Sequence, residues 1–321
     1  MCYNFIIFNK INEKGFSMTL EYIIFIVSLI TIALLYIGYR LYNYGLNPHT
    51  SKEGIFNNSK IEEIPYKDIW LSEYDNKEDI YINAYDNLKL HGYLITNNNS
   101  HEWVITVHGY TCSANSMSNI AYHYFNKGYN LIIPDLRGHG KSEGNYIGMG
   151  WHDRLDILKW IDYIIQKDSE AKIILHGVSM GASTVMMVSG EDIPSNIKVI
   201  IEDCGYTSAI EQFSYKIKKM YKIPSFPILN ICSFISRIKA NYFIEEASSI
   251  KQIKKSKTPI LFIHGDKDKF VPFYMQDKLY EACSSKKEKL IIENAGHAKC
   301  EKVNSKLYWY TVDKFIRENI Y

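Results

Sequence analysis

From about residue 79 onward, short apolar runs alternate with longer stretches of helical periodicity. The runs predict strands at 79–85, 88–96, 102–109, 129–135, 171–177, 197–203, 258–265 and 288–294, and the periodic stretches predict helices at 115–126, 151–167, 181–190, 273–284 and 304–318. Such alternation is the signature of an α/β protein, a mostly parallel sheet with helices on both faces. Asp86-Asn87 is a turn pair that closes the first two strands into a hairpin. The interval 206–257 breaks the rhythm, being about twice as long as an ordinary crossover of this kind. Pro224 and Pro227 punctuate it, and its apolar residues suggest two or three helices. Inserted at the C-terminal edge of a parallel sheet, it would cover the place where such folds bind ligands, and it is expected to be a lid.

The N-terminal pattern is different. Tyr22 to Tyr39 carries no charge and is bounded by Glu21 and Arg40. At about 1.5 Å per residue this run spans roughly 27 Å, close to the hydrocarbon thickness of a bilayer. Tyr36, Tyr39, Tyr42 and Tyr44 stand where an interfacial aromatic belt belongs. The bulky residues that follow lack the small side chains of a signal-peptide cleavage site. Residues 1–42 are therefore expected to be a tail and transmembrane anchor, with 22–39 as the span. The polar, irregular residues 43–77 should be a linker, and 78–321 the folded domain, separable and soluble from about Asn47. Lys10 and Lys14 favour a cytoplasmic N-terminus and an extracytoplasmic domain; Arg40 and Lys52 oppose it.

Composition narrows the function. A formal net charge of +2 gives no basic face for a nucleic-acid partner. The six cysteines lie far apart without a CxxC pair, which favours free thiols, and no metal-ligand motif is present. Gly140-Lys141-Ser142 ends like a P-loop but lacks its earlier glycine, so no nucleotide cofactor is implied. Within 206–257, ten Lys and Arg face only Glu211, Glu245 and Glu246, a local charge of about +7. That excess suits either a solvated surface or a lid lying toward an anionic bilayer.

Gly177-Val178-Ser179-Met180-Gly181 fits G-x-S-x-G, between an apolar run and a small-then-apolar helix start. A sharp strand-to-helix turn there would push the Ser179 hydroxyl out above the sheet, with glycines two residues either side because a Cβ would collide. A serine hydroxyl needs a base within hydrogen-bond reach. His297 follows the last strand in the turn Ala295-Gly296-His297 and is the expected base. His139 is a distant second, and His108, His176 and His264 are expected to serve packing or turns. The acid should come from a strand end between Ser179 and His297. Asp268 is the first choice, Asp203 the alternative, and Asp266 is expected to stabilise its own turn. Two backbone N–H donors must hold the oxyanion: Met180, at a helix start, and Tyr110, after His108-Gly109.

The strings HGYTCS, PDLRGHGKSEG, GVSMG, HGDKDKFVP and NAGHA, in this order over roughly residues 75–320, resemble the α/β-hydrolase superfamily in its serine-aminopeptidase-like and monoacylglycerol-lipase-like branch. The resemblance implies the α/β-hydrolase fold: an eight-stranded sheet with its second strand antiparallel, and a helical cap after the sixth strand. It maps nucleophile, acid and base onto Ser179, Asp268 and His297, and the oxyanion donors onto Tyr110 and Met180, with no cofactor. The implied activity is a serine hydrolase working through an acyl-enzyme on a small-molecule acyl substrate. Esters are the first expectation, since unspecialised sites of this kind cleave them more readily than amides. An amidase or aminopeptidase, or a non-catalytic binding protein on the same fold, are the alternatives.

Overall fold

A computed structural model describes residues 2–51, 66–97 and 100–320. The helices α1 (Cys2–Leu46) and α2 (Tyr66–Glu73) lead into strands β1 (Glu78–Asn83), β2 (Lys89–Ile95) and β3 (Glu102–Val107). Then come α3 (Ser118–Asn126), β4 (Asn130–Pro134), α4 (Asp153–Lys167), β5 (Lys172–Val178), α5 (Met180–Val188) and β6 (Ile197–Asp203). Helices α6 (Ala209–Tyr221), α7 (Ile228–Ala240) and α8 (Ser249–Ile253) precede β7 (Ile260–Gly265). The chain ends with α9 (Tyr274–Ala282), β8 (Lys287–Ile292), α10 (Cys300–Val303) and α11 (Ser305–Ile320).

The strands form one sheet in the order β1-β2-β4-β3-β5-β6-β7-β8. Strand β2 runs antiparallel to both its neighbours, and the pairs from β4 to β8 are parallel. The β1–β2 turn places Asn87 at φ 65°, a left-handed conformation asparagine tolerates. Alternation along the central strands divides the core between the two faces. Ile173, Leu175 and Phe262 join one apolar cluster, while Ile174, Val199 and Leu261 join the other. Helices cover both faces. In α4 the residues Ile157, Trp160, Ile161 and Ile164 are buried at helical spacing, and Asp153 and Asp156 occupy its first turn.

Between β6 and β7, Ser208 caps α6 by accepting from the Glu211 N–H, and Lys222 ends it in a left-handed conformation. Asn241 ends α7 in the same way.

The linker expectation for 43–77 needs correction at both ends. Helix α1 runs on to Leu46, with Tyr42 and Leu46 inside the core. The Leu46 carbonyl accepts from the Ile147 N–H at 2.8 Å. At the other end, Trp70 and Leu71 of α2 are buried, and Trp70 packs its ring against Tyr74, Tyr122 and Phe125. The reason is burial: four apolar side chains spread over two short stretches gain more by docking than by hanging in water. Residues 52–65, with Lys52, lie outside the described residues. Further up α1, Leu20, Ile23, Phe25, Ile30, Ile32 and Ile37 are exposed, and Thr19–Leu46 is long and apolar enough to cross a membrane, with mean hydropathy 2.4 over its most apolar 18 residues.

Candidate active site

Strand β5 ends at Val178 and α5 begins at Met180, so Ser179 alone makes the turn between them. It does so at φ 57° and ψ −116°, a conformation costly for a residue with a Cβ and kept only where the surroundings enforce it. The flanking glycines permit the crossing. A Cβ on Gly177 would lie 2.2 Å from the Gly181 carbonyl oxygen, and one on Gly181 would lie 2.0 Å from that of Val107. The Ser179 N–H donates to the Asp203 carbonyl at 2.8 Å, which ties the turn to β6.

The turn brings Ser179 to His297. The Ser179 Oγ lies 2.8 Å from His297 Nε2, and His297 Nδ1 lies 2.7 Å from Asp268 Oδ2. Asp268 also accepts at Oδ1 from the N–H groups of Phe270 and Val271, at 2.7 and 3.0 Å. Burial pushes the Asp268 carboxyl up, but hydrogen bonds from His264 and His297 outweigh it and hold the group below the ordinary carboxylate range. An ionised Asp268 fixes the His297 proton on Nδ1, which leaves Nε2 free to accept from the serine hydroxyl. Such a line can take the proton from Ser179 as it attacks a carbonyl.

The other residues singled out in the sequence fall elsewhere. Asp203 turns away from His297: its Oδ2 accepts from the Tyr308 hydroxyl at 3.1 Å, and burial pushes its carboxyl up to about 6. Asp266 accepts from the Asn294 N–H at 2.6 Å, holding its own turn. His139 is buried with Nδ1 on the Arg137 carbonyl and Nε2 accepting from the Thr111 N–H, so it supports the loop after β3. His108 does likewise, with Nδ1 on the Gly109 carbonyl and Nε2 accepting from the Leu136 N–H. Tyr110 and Met180 line the same cavity as Ser179, with Gly109 placed so that a Cβ would meet Ser179 Cβ at 3.4 Å.

Two contributions escaped sequence reasoning. His264, expected to serve packing or a turn, has its Nε2 3.3 Å from Asp268 Oδ2 and 3.0 Å from the Val271 carbonyl oxygen. Its place four residues before the acid in HGDKD is a signal that could have found it. The second is α1 itself. The cavity, about 1140 Å³, is walled by Leu41, Tyr42 and Leu46 from α1 together with Phe213, Ile217 and Leu229 from α6 and α7. The Tyr110 hydroxyl donates to the Gly45 carbonyl at 2.7 Å. Lys216 and Lys219, counted in the sequence among charges for a bilayer, line this cavity.

Comparison with known proteins gives the family. The serine aminopeptidase S33 profile matches residues 98–219, and a serine hydrolase (FSH1) profile matches 175–299. An uncharacterised Bacillus subtilis protein, YqkD, is 30% identical over 226 residues, 70% of this chain and 74% of that one. The chain belongs to the α/β-hydrolase superfamily. Within the superfamily, an uncharacterised membrane protein of Saccharomyces cerevisiae is 27% identical over 215 residues, 64% of this chain and 67% of its own. The esterase Pf2001 of Pyrococcus furiosus shares the fold at 24% identity and a TM-score of 0.64, over 82% of this chain and 98% of that one. This α/β-hydrolase is a serine hydrolase by family, and its eight-stranded sheet with β2 antiparallel is the one the resemblance implies.

Proposed function

We propose that this protein is a membrane-anchored serine carboxylesterase for amphiphilic acyl esters, with Ser179 as nucleophile, His297 as general base and Asp268 as its orienting acid. The observation that carries the reading is the unbroken line from Ser179 Oγ through His297 to Asp268, at 2.8 and 2.7 Å, beside a large and mainly apolar cavity. Ser179 attacks the acyl carbonyl while His297 Nε2 takes its proton. The oxyanion forms beside the N–H groups of Met180 and Tyr110, the first at the positive end of the α5 dipole. His297 then protonates the leaving alkoxide, and later activates water to free the acid from Ser179.

The amphiphilic substrate follows from the walls. Helix α1 would span the bilayer through 22–39, and its last two turns form one side of the cavity, so an acyl chain leaving the bilayer meets the site directly. Helices α6–α7 act as the lid over 206–257. Phe226, Phe234 and Ile238 are exposed there, and α7 lies along α1, which suits contact with the interface. Lys10 and Lys14 ahead of the span support a domain outside the cytoplasm. An aminopeptidase would need a carboxylate to receive a free amino terminus, and among the described residues no Asp or Glu lines the cavity.

The test is turnover of nitrophenyl esters of increasing acyl length beside aminoacyl amides, by full-length protein in neutral detergent. Esters of medium or long chains should be cleaved and the amides left. Preferential amide cleavage would replace this reading with a peptidase.

A further inference from the structure

Lys216, Lys219, Lys267, Lys269 and Lys299 all line the cavity, and no aspartate or glutamate does. In a chain with formal net charge +2 this is a local concentration of one sign, and it raises the potential inside the cleft. Some of it is offset. Lys267 pairs with Asp266 at 3.0 Å, and Lys219 donates to the Lys269 carbonyl at 2.7 Å. Lys216 has neither arrangement. It is half-buried, makes no ion pair among the described residues, and sets its ammonium 3.2 Å from the centre of the Phe270 ring. Burial, helped by repulsion from Lys219, lowers its pKa to about 8 against the attraction of Asp268. Asp268 is already engaged with His264 and His297, so a half-buried ammonium that otherwise faces a ring is short of a counter-charge.

Its position says where that counter-charge would come from. The Phe270 ring also stacks on His297, at 4.7 Å between centroids. His297 delivers its proton to the leaving oxygen, so the alcohol part of an ester lies on the side of the cavity where Phe270 and Lys216 stand. The acyl part is left the apolar side, among Leu41, Leu46 and Leu229. We infer that the site takes acyl esters whose alcohol portion carries an anionic group, a phosphate or a carboxylate, received by Lys216 with Lys219 one turn further along α6. The placement of the alcohol rests on the esterase reading above; the anion site itself rests on the lysines.

Binding, separately from turnover, tests this. Full-length Ser179→Ala protein in neutral detergent is titrated with three ligands that cannot be hydrolysed: an ether-linked alkylglycerol phosphate, the matching alkylglycerol, and glycerol phosphate without a tail. The alkyl phosphate should bind about tenfold or more tighter than the neutral ether, the scale of one charge-assisted contact. Lys216→Gln should bring that ratio toward one, and Lys216→Arg should keep most of it. Equal affinity for the two ethers, or a ratio unmoved by Lys216→Gln, would overturn the inference. Glycerol phosphate binding as tightly as the alkyl phosphate would overturn its amphiphile part. Tight anion-dependent binding by the Ser179→Ala protein, where the unsubstituted protein turns over no ester, would instead sink the esterase reading and leave the anion site standing.

Discussion

The Tyr110 hydroxyl donates to the Gly45 carbonyl at 2.7 Å, joining the loop after β3 to the last turn of the N-terminal apolar helix. This bond fastens the helix to the loop whose Tyr110 N–H the proposed mechanism uses, and the neighbouring Leu46–Ile147 pair fastens it to the segment between β4 and α4. The expectation of a separable domain from about Asn47 does not include these contacts. Cutting there removes Tyr42 and Leu46 from the core and opens one wall of the cavity.

A protein starting at Asn47 should therefore unfold at a lower temperature than full-length protein and lose discrimination among acyl lengths. Leu46→Ala in the full chain should cost about 2–5 kcal/mol, as buried leucine truncations do. Thermal unfolding together with an acyl-length profile checks both. A truncated protein with unchanged melting and profile would show that α1 is only a tether.

Helix α1 meets α7 at Gly38, where a Cβ would lie 2.5 Å from Ile231 Cγ2, and the Cys232 thiol donates to the Gly38 carbonyl. Gly38→Ala should lower stability, and Ile231→Ala added to it should recover part of the loss. The coupling in a double-mutant cycle is expected in the range of contacting residues, about 0.5–3 kcal/mol. Strict additivity would place the two helices apart.

Asp268→Asn should lower kcat on the order of 10⁴-fold, because an amide in place of the carboxylate no longer selects the Nδ1–H tautomer of His297. Asp203→Asn should lower it less than tenfold, since Asp203 touches Tyr308 and not His297. Steady-state kinetics on the two variants rank the acids, and a reversed ranking would move the acid to β6.

Glu202 is fully buried near the end of β6, where burial pushes its carboxyl up to about 8 despite the attraction of His264 and a hydrogen bond from the Gly205 N–H. A folded-state value above the unfolded one, near 4.3, means the protonated form favours folding. That contribution is whole below pH of about 4 and is lost as pH rises through 8, at up to about 1.4 kcal/mol per pH unit. Asp203 adds the same sign up to about pH 6. The lowered Asp268 has the opposite sign but acts only below about pH 4. Below about pH 6.5 the buried His108, His152 and His176, whose pKa values burial lowers, act with the opposite sign. Melting temperature should thus fall between about pH 7 and 8, and Glu202→Gln should flatten the fall. An unchanged slope in that variant would assign the pH dependence to other groups.

Much of this was legible in the sequence because it is local. Each strand run, the Gly177-to-Gly181 turn and the order of Ser179, Asp268 and His297 depend on residues within a few positions of one another or on the rule of chain order. What stayed hidden is long-range. An apolar helix without a polar face does not show which side it buries, so nothing around Tyr42 or Leu46 announced a cavity wall. The lysines of 206–257 could be counted but not aimed: Lys216 and Lys218 differ by two positions on α6, and only Lys216 lines the cavity. Trp70 falls within the expected linker because its partners Tyr122 and Phe125 lie some fifty residues on.

The central claim is that Ser179 carries the acyl group. Full-length protein is mixed with a slowly deacylating nitrophenyl ester, quenched in acid within the first turnover, digested, and the peptides weighed. The account predicts an added acyl mass on the peptide containing Ser179, growing with the nitrophenol burst and absent from Ser179→Ala. An acyl mass on another residue, or a Ser179→Ala protein that still releases nitrophenol at the original rate, would contradict it.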